Sequence, residues 1–310
     1  MKEPKWYLIV NPSSGSGKGM KHWKSIEKIL NNMGLVYAVG MSEYHGHAIE
    51  LAKQAVENGY THLVAVGGDG TANEVINGMM LQQAKPTQQL TFGIIPVGTG
   101  NDWIKTHKIP HQYKKAILLL KGGHTKLHDI GKVHYQDEQG QAQSRYFINV
   151  AGLGYDAYVT KASNERRRWS NSRLFYLYLL LKCSTEYKAQ RLRISFDDQV
   201  VEDSFYSIAV GQCIFNGGGA QFVPHASPFD GLFALTLVRN VSMWDVLLNS
   251  RNFYNGRIVD HPQVKTYQVS RLRIESLDAQ PTGIEVDGEY LGHSPVDFEM
   301  LPGAIQVLIP

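Results

Sequence analysis

Apolar and polar positions follow two different rhythms along this chain, and the rhythm changes before its midpoint. Trp6 to Val10 is a short unbroken apolar run that stops at Asn11-Pro12, which predicts a buried strand. Trp23, Ile26, Ile29, Leu30 and Met33 then recur at helical spacing until Gly34. Ile49, Ala52 and Val56 repeat that spacing until Gly59. His62 to Val66 and Phe92 to Val97 predict two more buried strands. Ala72 to Leu81 and Tyr113 to Lys121 predict two more helices, the second closed by Gly122-Gly123. Such alternation predicts an α/β domain with a parallel sheet covered by helices.

Beyond this region the pattern changes to strand-like segments rich in Val, Ile, Phe and Tyr, with turn residues between them. They are Arg191 to Phe196, Phe205 to Val210, Phe233 to Val238, Val264 to Ile274, Ile284 to Val286 and Ile305 to Ile309. Two helices interrupt them, near Arg173 to Cys183 and Trp244 to Tyr254. This half predicts an antiparallel β-sandwich. The expected domains are residues 1–126 and 127–310, with the last strand, about 303–310, returning to the first domain. No internal repeat or low-complexity tract is visible.

A length of 310 residues leaves room for two domains of roughly 150 residues each. With 43% hydrophobic and 19% charged residues, disorder, collagen and coiled coil are excluded for the chain as a whole. Lys plus Arg number 31 against 28 Asp plus Glu, a net charge of +3. That balance gives no reason to expect nucleic acid, and leaves only a weak preference for anionic surfaces. Cys183 and Cys213 offer neither a disulfide framework nor metal-ligand spacing, which suits a reducing compartment. The first apolar run is too short for a signal peptide, and Leu174 to Leu181 falls far short of the ~20 residues that span a bilayer. The expectation is a chain neither exported nor membrane-spanning. Its 12 histidines, His45 and His47 among them, form no metal spacing and are expected to face solvent or cap helices.

The 30 glycines change the picture. They exceed the usual ~7%, and the excess lies in short clusters. Three of these each follow a predicted strand: Asn11-Pro-Ser-Ser-Gly-Ser-Gly-Lys-Gly19, Gly67-Gly-Asp-Gly-Thr-Ala-Asn73 and Gly98-Thr-Gly-Asn-Asp102. Ligands of open α/β sheets sit beyond the carboxyl ends of the strands. Glycine lets backbone N–H groups approach a phosphate, and the following helix N-terminus favours negative charge. Three such loops on one edge describe a polyphosphate site. Gly15 to Gly19 is weak alone, because Pro12 and Gly19 stand where a P-loop needs Gly and Ser or Thr; a flexible turn fits it equally well. Gly67-Gly68-Asp69-Gly70-Thr71 is sharper, although Asp69 could also serve only as a helix cap.

Together these residues resemble the diacylglycerol kinase catalytic family, bacterial lipid kinases related to sphingosine and ceramide kinases. The three loops are similar to the family's opening motif, its nucleotide-binding signature and the companion of that signature. Asn149-Val-Ala-Gly-Leu-Gly-Tyr-Asp156 resembles the motif that opens the second domain. Ser227-Pro-Phe-Asp-Gly-Leu232 and Asp287-Gly-Glu289 match later signatures, so the likeness runs over nearly the whole chain in order. The resemblance implies an NAD-kinase/phosphofructokinase-like α/β domain, followed by a sandwich that takes a lipid, with chemistry in the cleft between them. NAD kinases share the Gly-Gly-Asp-Gly-Thr signature but follow it with a different loop. A soluble-substrate kinase of that kind, and a non-catalytic lipid- or nucleotide-binding relative, are the competing readings.

Residue by residue, the resemblance implies ATP binding by Asn11, Ser42, Gly67, Gly68, Asp69, Gly70, Thr71, Ala72, Asn73 and Thr99. Ser42 could instead cap the helix containing Ile49, and Lys18 could screen phosphate or lie in solvent. Asp69 is expected to act on phosphate through Mg2+, since a bare carboxylate would repel it. Ser227, Asp230 and Leu232 match a structural magnesium site of oxygen ligands, with Asp129 in the same network; a hairpin turn and a strand-end turn are the bland alternatives. Glu289 is the candidate base, because transfer to a lipid hydroxyl requires that proton to leave. Strand alternation turns Asp287 to the opposite face. Arg166-Arg167-Arg168-Trp169 could meet an anionic bilayer, or the helix after it could simply cover a sheet. The implied setting is cytoplasmic and peripheral at the inner face of the membrane. Diacylglycerol is the favoured acceptor, and a homodimer is suggested by relatives.

Overall fold

The computed structural model describes residues 5–98, 100–166 and 173–310. They divide into two compact units, Met1–Ile130 with Pro302–Pro310, and Gly131–Leu301. The division falls a few residues beyond the expected boundary after residue 126. The reason is local: strand His124–Gln136 runs through that point, and Ile130 is the last of its residues to pack with the first unit.

In the first unit, strands Trp6–Val10, Tyr37–Met41, His62–Gly67 and Thr91–Pro96 pair in parallel. The sheet order runs from Tyr37–Met41 through Trp6–Val10 and His62–Gly67 to Thr91–Pro96. Gln306 and Val307, near the end of strand Glu289–Ile309, then pair in parallel with Thr91 and Phe92. Trp6, Leu8 and Val10 alternate onto one face and pack with Val64, Val66 and Ile95 against Trp23, Ile26 and Leu30 of helix Gly19–Asn32. Ile9, Leu63 and Ala65 on the opposite face are buried as well, which is why these strands read as unbroken apolar runs. Helices His47–Glu57 and Asp69–Leu81 pack closely together, with no room for a side chain at Gly78 beside the Ile49 carbonyl. Strand Tyr37–Met41 was not expected from the sequence. It lies at the sheet edge, only Gly40 is buried, and its apolar signal is correspondingly thin.

Every named strand pair of the second unit is antiparallel. The pairing closes on itself. Gln199–Gly211 joins Val150–Gly154, which joins Gly283–Val286, then Glu289–Ile309, Arg271–Ser276, Gln190–Phe196, and back to Gln199–Gly211. The sandwich expected from the sequence is thus stitched into a barrel-like circuit. The thirteen-residue strand Gln199–Gly211 allows this, because one of its halves pairs with Gln190–Phe196 and the other with Val150–Gly154. Phe147, Leu153, Ile194, Phe205, Phe233, Ile274, Ile284, Val296 and Phe298 fill the core.

Three expected elements differ from those observed. Val264 to Ile274 is two strands, Val264–Val269 and Arg271–Ser276, which leave for different partners on either side of Ser270. Trp244 to Tyr254 is a short α-helix, Met243–Leu248, followed by a 3-10 turn, Ser250–Phe253. Ile305 to Ile309 is the end of the twenty-one-residue strand Glu289–Ile309. Of the basic-aromatic stretch, Arg166 ends helix Tyr155–Arg166 and residues 167–169 lie outside the described residues. Among the described residues, no helix is long and apolar enough to cross a membrane.

Candidate functional site

The register of the parallel strands brings the three glycine loops to one edge of the first unit. Val10 stands beside Met41 and Val66, and Gly67 beside Pro96, so these strands end level. The loops leave through ladder-like bonds: Asn11 N–H to Val66 O at 3.1 Å, Ser42 N–H to Val10 O at 2.9 Å and Val97 N–H to Gly67 O at 2.8 Å. Ser42 is thereby placed beside the first loop.

Side chains then cross-link the loops. Asn11 Nδ2 donates to Thr71 Oγ1 at 3.1 Å, tying the first loop to the second. Asp69 accepts N–H bonds from Asp102 at 2.7 Å and Trp103 at 3.1 Å, tying the second to the third. Asp69 therefore caps the short helix Trp103–Thr106 in addition to beginning its own helix. Gly19 is needed for closeness: a β-carbon there would overlap the carbonyls of Asn11 and Pro12, on which helix Gly19–Asn32 rests. The departure from a P-loop at this position has that packing cause. Gly15, Ser16 and Gly17 all take positive φ, so the first loop curls tightly before the helix starts.

The described site residues separate into exposed and buried sets. Gly70 is exposed and Gly68 and Asp69 are half-buried at the start of helix Asp69–Leu81, whose first-turn N–H groups lack intrahelical acceptors. Thr71, Ala72 and Asn73 are buried, and Asn73 Oδ1 accepts from Asn77 Nδ2 at 3.0 Å within the same helix. Thr99 lies outside the described residues. Lys18 is exposed. Asn101 Oδ1 is a buried acceptor with no hydrogen-bond partner among the described residues, and it lies 3.2 Å from where a Gly68 β-carbon would sit. An open acceptor beside a carboxylate and a helix N-terminus fits a hydrated cation carried by a polyphosphate.

Three residues outside the predicted site, Glu74, His107 and His128, shape this unit. Glu74 accepts N–H bonds from Gly46 at 3.1 Å and Ala48 at 3.2 Å, so a carboxylate already caps helix His47–Glu57. His107 and His128 are buried, with Nε2 atoms 3.3 Å apart. His128 Nδ1–H donates to Asp129 O at 2.5 Å, which leaves its Nε2 to accept from His107. Burial pushes both imidazoles down, His128 to about 4. They are core residues, not the solvent-facing or capping groups expected from the sequence. Asp129 is buried too, and its Oδ1 accepts the Gly303 N–H at 2.7 Å, holding the returning Pro302–Pro310 segment.

In the second unit, Asp287 and Gly288 form a two-residue turn with φ of 49° and 85°, and Val286 pairs with Glu289 across it. Asp287 is therefore a turn residue, and the expected strand alternation does not govern its direction. Its carboxylate accepts N–H bonds from Ile148, Asn149 and Val150 at 3.0–3.2 Å. Glu289 keeps a side chain that is 30% exposed and pairs with Arg145 Nη2 at 3.2 Å. No sequence spacing could have disclosed Arg145, which belongs to a separate hairpin. Ser227, Asp230 and Leu232 share one loop; Asp230 is exposed and its Oδ1 accepts the Leu232 N–H at 3.1 Å. That turn leaves a second carboxylate oxygen and the loop carbonyls, an all-oxygen donor set that fits magnesium.

Comparison with known proteins places this arrangement. The model of the diacylglycerol kinase catalytic domain matches residues 5–133, and that of the YegS C-terminal NAD kinase beta sandwich-like domain matches residues 149–309. The chain belongs to the diacylglycerol kinase catalytic family. This family member is 30% identical over 304 residues to a diacylglycerol kinase of Staphylococcus saprophyticus, covering 98% of this chain and 94% of the relative. It is 27% identical over 303 residues to that of Staphylococcus carnosus, with 98% and 94% covered. In fold it is similar to a crystal structure titled as a diacylglycerol kinase from Bacillus anthracis, with a TM-score of 0.72 at 22% identity, covering 100% of this chain and 98% of that one. Yeast NADH kinase complexed with NADH is a more distant likeness, with a TM-score of 0.54 at 11% identity and 100% and 84% covered.

Proposed function

We propose that this kinase transfers the γ-phosphoryl group of ATP to a lipid hydroxyl, with diacylglycerol as acceptor and phosphatidic acid as product. The observation that carries the reading is the cross-linked triple loop of the first unit, in a chain whose second unit presents Glu289 on a tight turn. Gly68, Asp69 and Gly70, with Asn11 and Ser42 nearby, hold the polyphosphate; Thr99 belongs to the same loop set. When bound, magnesium supplies charge neutralisation on the transferring phosphate. Asp69 and Asn101 are the residues that would address it, and the loop of Ser227, Asp230 and Leu232 would hold a second, structural ion.

Glu289 accepts the proton of the lipid hydroxyl, the freed oxygen bonds to the γ-phosphorus, and the bond to the β-phosphate oxygen breaks to release ADP. Arg145 fixes the carboxylate of Glu289 in one direction. A lipid acceptor implies work at a membrane surface as a peripheral, cytoplasmic protein, and the reading includes a homodimer.

The distant likeness to an NADH kinase supports one competing reading, a soluble dinucleotide acceptor. A radiolabelled-ATP assay over lipids in mixed micelles, with NAD and NADH in parallel, separates the two. Labelled phosphatidic acid supports the lipid kinase. Label only in a dinucleotide phosphate overturns it, and no transfer to either leaves a binding protein.

A further inference from the structure

Gly152 stands directly opposite Glu285 in the antiparallel pairing of Val150–Gly154 with Gly283–Val286. Two carboxyl groups converge on the space above its Cα. A methyl group added there would lie 2.7 Å from Glu285 Oε1 and 3.4 Å from Asp156 Oδ2. Glu285 is 5% exposed, on a strand whose neighbours Ile284 and Val286 are core residues. A carboxyl at such a position is costly unless its oxygens are bonded. Glu285 Oε2 accepts the Gly288 N–H at 2.9 Å, reaching across the turn that ends in Glu289. Asp156, in the first turn of helix Tyr155–Arg166, accepts from Ser207 Oγ at 2.7 Å.

We propose that Glu285 is a positioning residue for Glu289: its carboxyl, held beside Asp156, clamps the Gly288 N–H and so sets the direction in which the turn delivers the Glu289 carboxylate. The inference rests on the reading of Glu289 as base. The turn is then gripped from two sides, by Asp287 on the Ile148–Val150 backbone and by Glu285 from within. An apolar residue at position 285 would leave the Gly288 N–H unheld.

The neighbourhood also bears on the protonation of the clamp. Burial and the nearby Asp156 carboxyl push Glu285 well above the usual carboxylate range, and burial pushes Asp156 up to about 6. Asp287 adds negative charge from the same turn. Tyr187 and Tyr206 face Asp156 and are themselves pushed up by burial and by that carboxyl. Tyr290, paired with Glu285 across the strands, carries Lys161 over its ring at 4.8 Å. Two neighbouring carboxyls disfavour each other's ionisation, while the N–H bond from Gly288 favours the charged form of Glu285.

The test uses the full chain with Glu285→Gln and Glu285→Ala. It reads steady-state kinetics against pH and amide hydrogen exchange in the 285–290 turn. Gln can still accept from Gly288, so kcat at neutral pH should stay within about threefold of wild type and Gly288 should stay protected from exchange. Ala should lower kcat by about tenfold or more with KM for ATP unchanged, and should speed exchange at Gly288. Wild-type kcat and protection in the Ala variant would overturn the proposal. So would fast exchange at Gly288 in a Gln variant that keeps wild-type kcat, a result that stands even if the Ala variant does not fold. A Gln variant as slow as Glu289→Gln at every pH would make Glu285 a reacting group and overturn the positioning role. Failure of the wild type to phosphorylate any lipid would sink the lipid-kinase reading instead, while exchange at Gly288 still decides whether Glu285 holds the turn.

Discussion

Asp69 Oδ2 lies 2.7 Å from the backbone nitrogen of Asp102, and the other oxygen of the same carboxylate takes the Trp103 N–H. The acid of the nucleotide signature thus fastens one glycine loop to the next. A carboxylate oxygen can accept more than one bond, so a magnesium-bound phosphate and a loop clamp are compatible uses of one side chain.

This double use sets the expectation for Asp69→Asn. The amide nitrogen must face one of two N–H donors, so a bond is lost and a donor is left opposed. Leaving a partly buried donor unmet costs roughly 1–3 kcal/mol. Turnover should fall to background and the melting temperature should drop together, as read by kinase assay and calorimetry. Turnover near wild type would remove Asp69 from the site. Lost turnover with unchanged melting would assign it to phosphate alone.

The imidazole pair predicts an acid limb in stability. His107 and His128 are neutral in the folded state, and burial holds His128 at about 4 against an unfolded value near 6.5. Between those values the unfolded chain binds more protons, so stability falls as pH falls, and the full contribution is present above pH ~6.5. His128 alone accounts for a loss on the order of 3 kcal/mol by about pH 4. Asn at 128 can keep the donor to Asp129 O without titrating. Thermal melts from pH 7.5 down to 4.5 should show the drop in wild type and a flatter curve in His128→Asn. Parallel curves would contradict it.

What could be read from the chain follows from how far apart the interacting residues lie. Strands such as Trp6–Val10 and His62–Gly67 are buried on both faces, so local apolar runs sufficed. Helix Tyr155–Arg166 went unread although Tyr155, Val159 and Ala162 pack together at helical spacing. Its remaining residues are polar enough to mask that stripe. The glycine clusters disclosed where a phosphate could lie. They could not disclose that Asp69 clamps Trp103, that Glu289 meets Arg145, or that Glu285 turns inward under Gly288, since these pairings are made by strand order and no local pattern encodes that order. Asp287 was misread for a definite reason: the Asp-Gly turn takes it out of the strand before alternation applies.

The loop of Asp230 offers a cleaner choice between turn and metal. Its Oδ1 holds Leu232 N–H, and Gly231 takes a φ of 77°, so the turn exists without any ion. Asp230→Asn can keep that bond while removing the charge a hard cation needs. Magnesium-dependent stabilisation in wild type, absent in the variant, is the expected outcome in melts with and without chelator. Equal melting temperatures in all four conditions would leave the turn alone.

Glu289 and Asp287 sit on one turn and should fail in different ways. Glu289→Gln keeps the shape and an acceptor for Arg145 but removes the base. General-base catalysis is typically worth about 10²–10⁴-fold, and kcat should fall within that range. Glu289 is partly exposed and its ion pair shares that exposure, so the melting temperature should barely move. ATP binding, assigned to the other unit, should be unchanged by calorimetry. Asp287→Asn acts through structure. Asn tolerates the positive φ, but its neutral oxygen is a poorer acceptor and its amide nitrogen opposes the Ile148–Val150 donors. It should melt lower by several degrees while losing less of kcat than Glu289→Gln, because the turn still forms and Glu285 still holds Gly288 from within. Should Asp287→Asn melt like wild type and lose the greater share of kcat, Asp287 is the base and Glu289 its ion-paired neighbour.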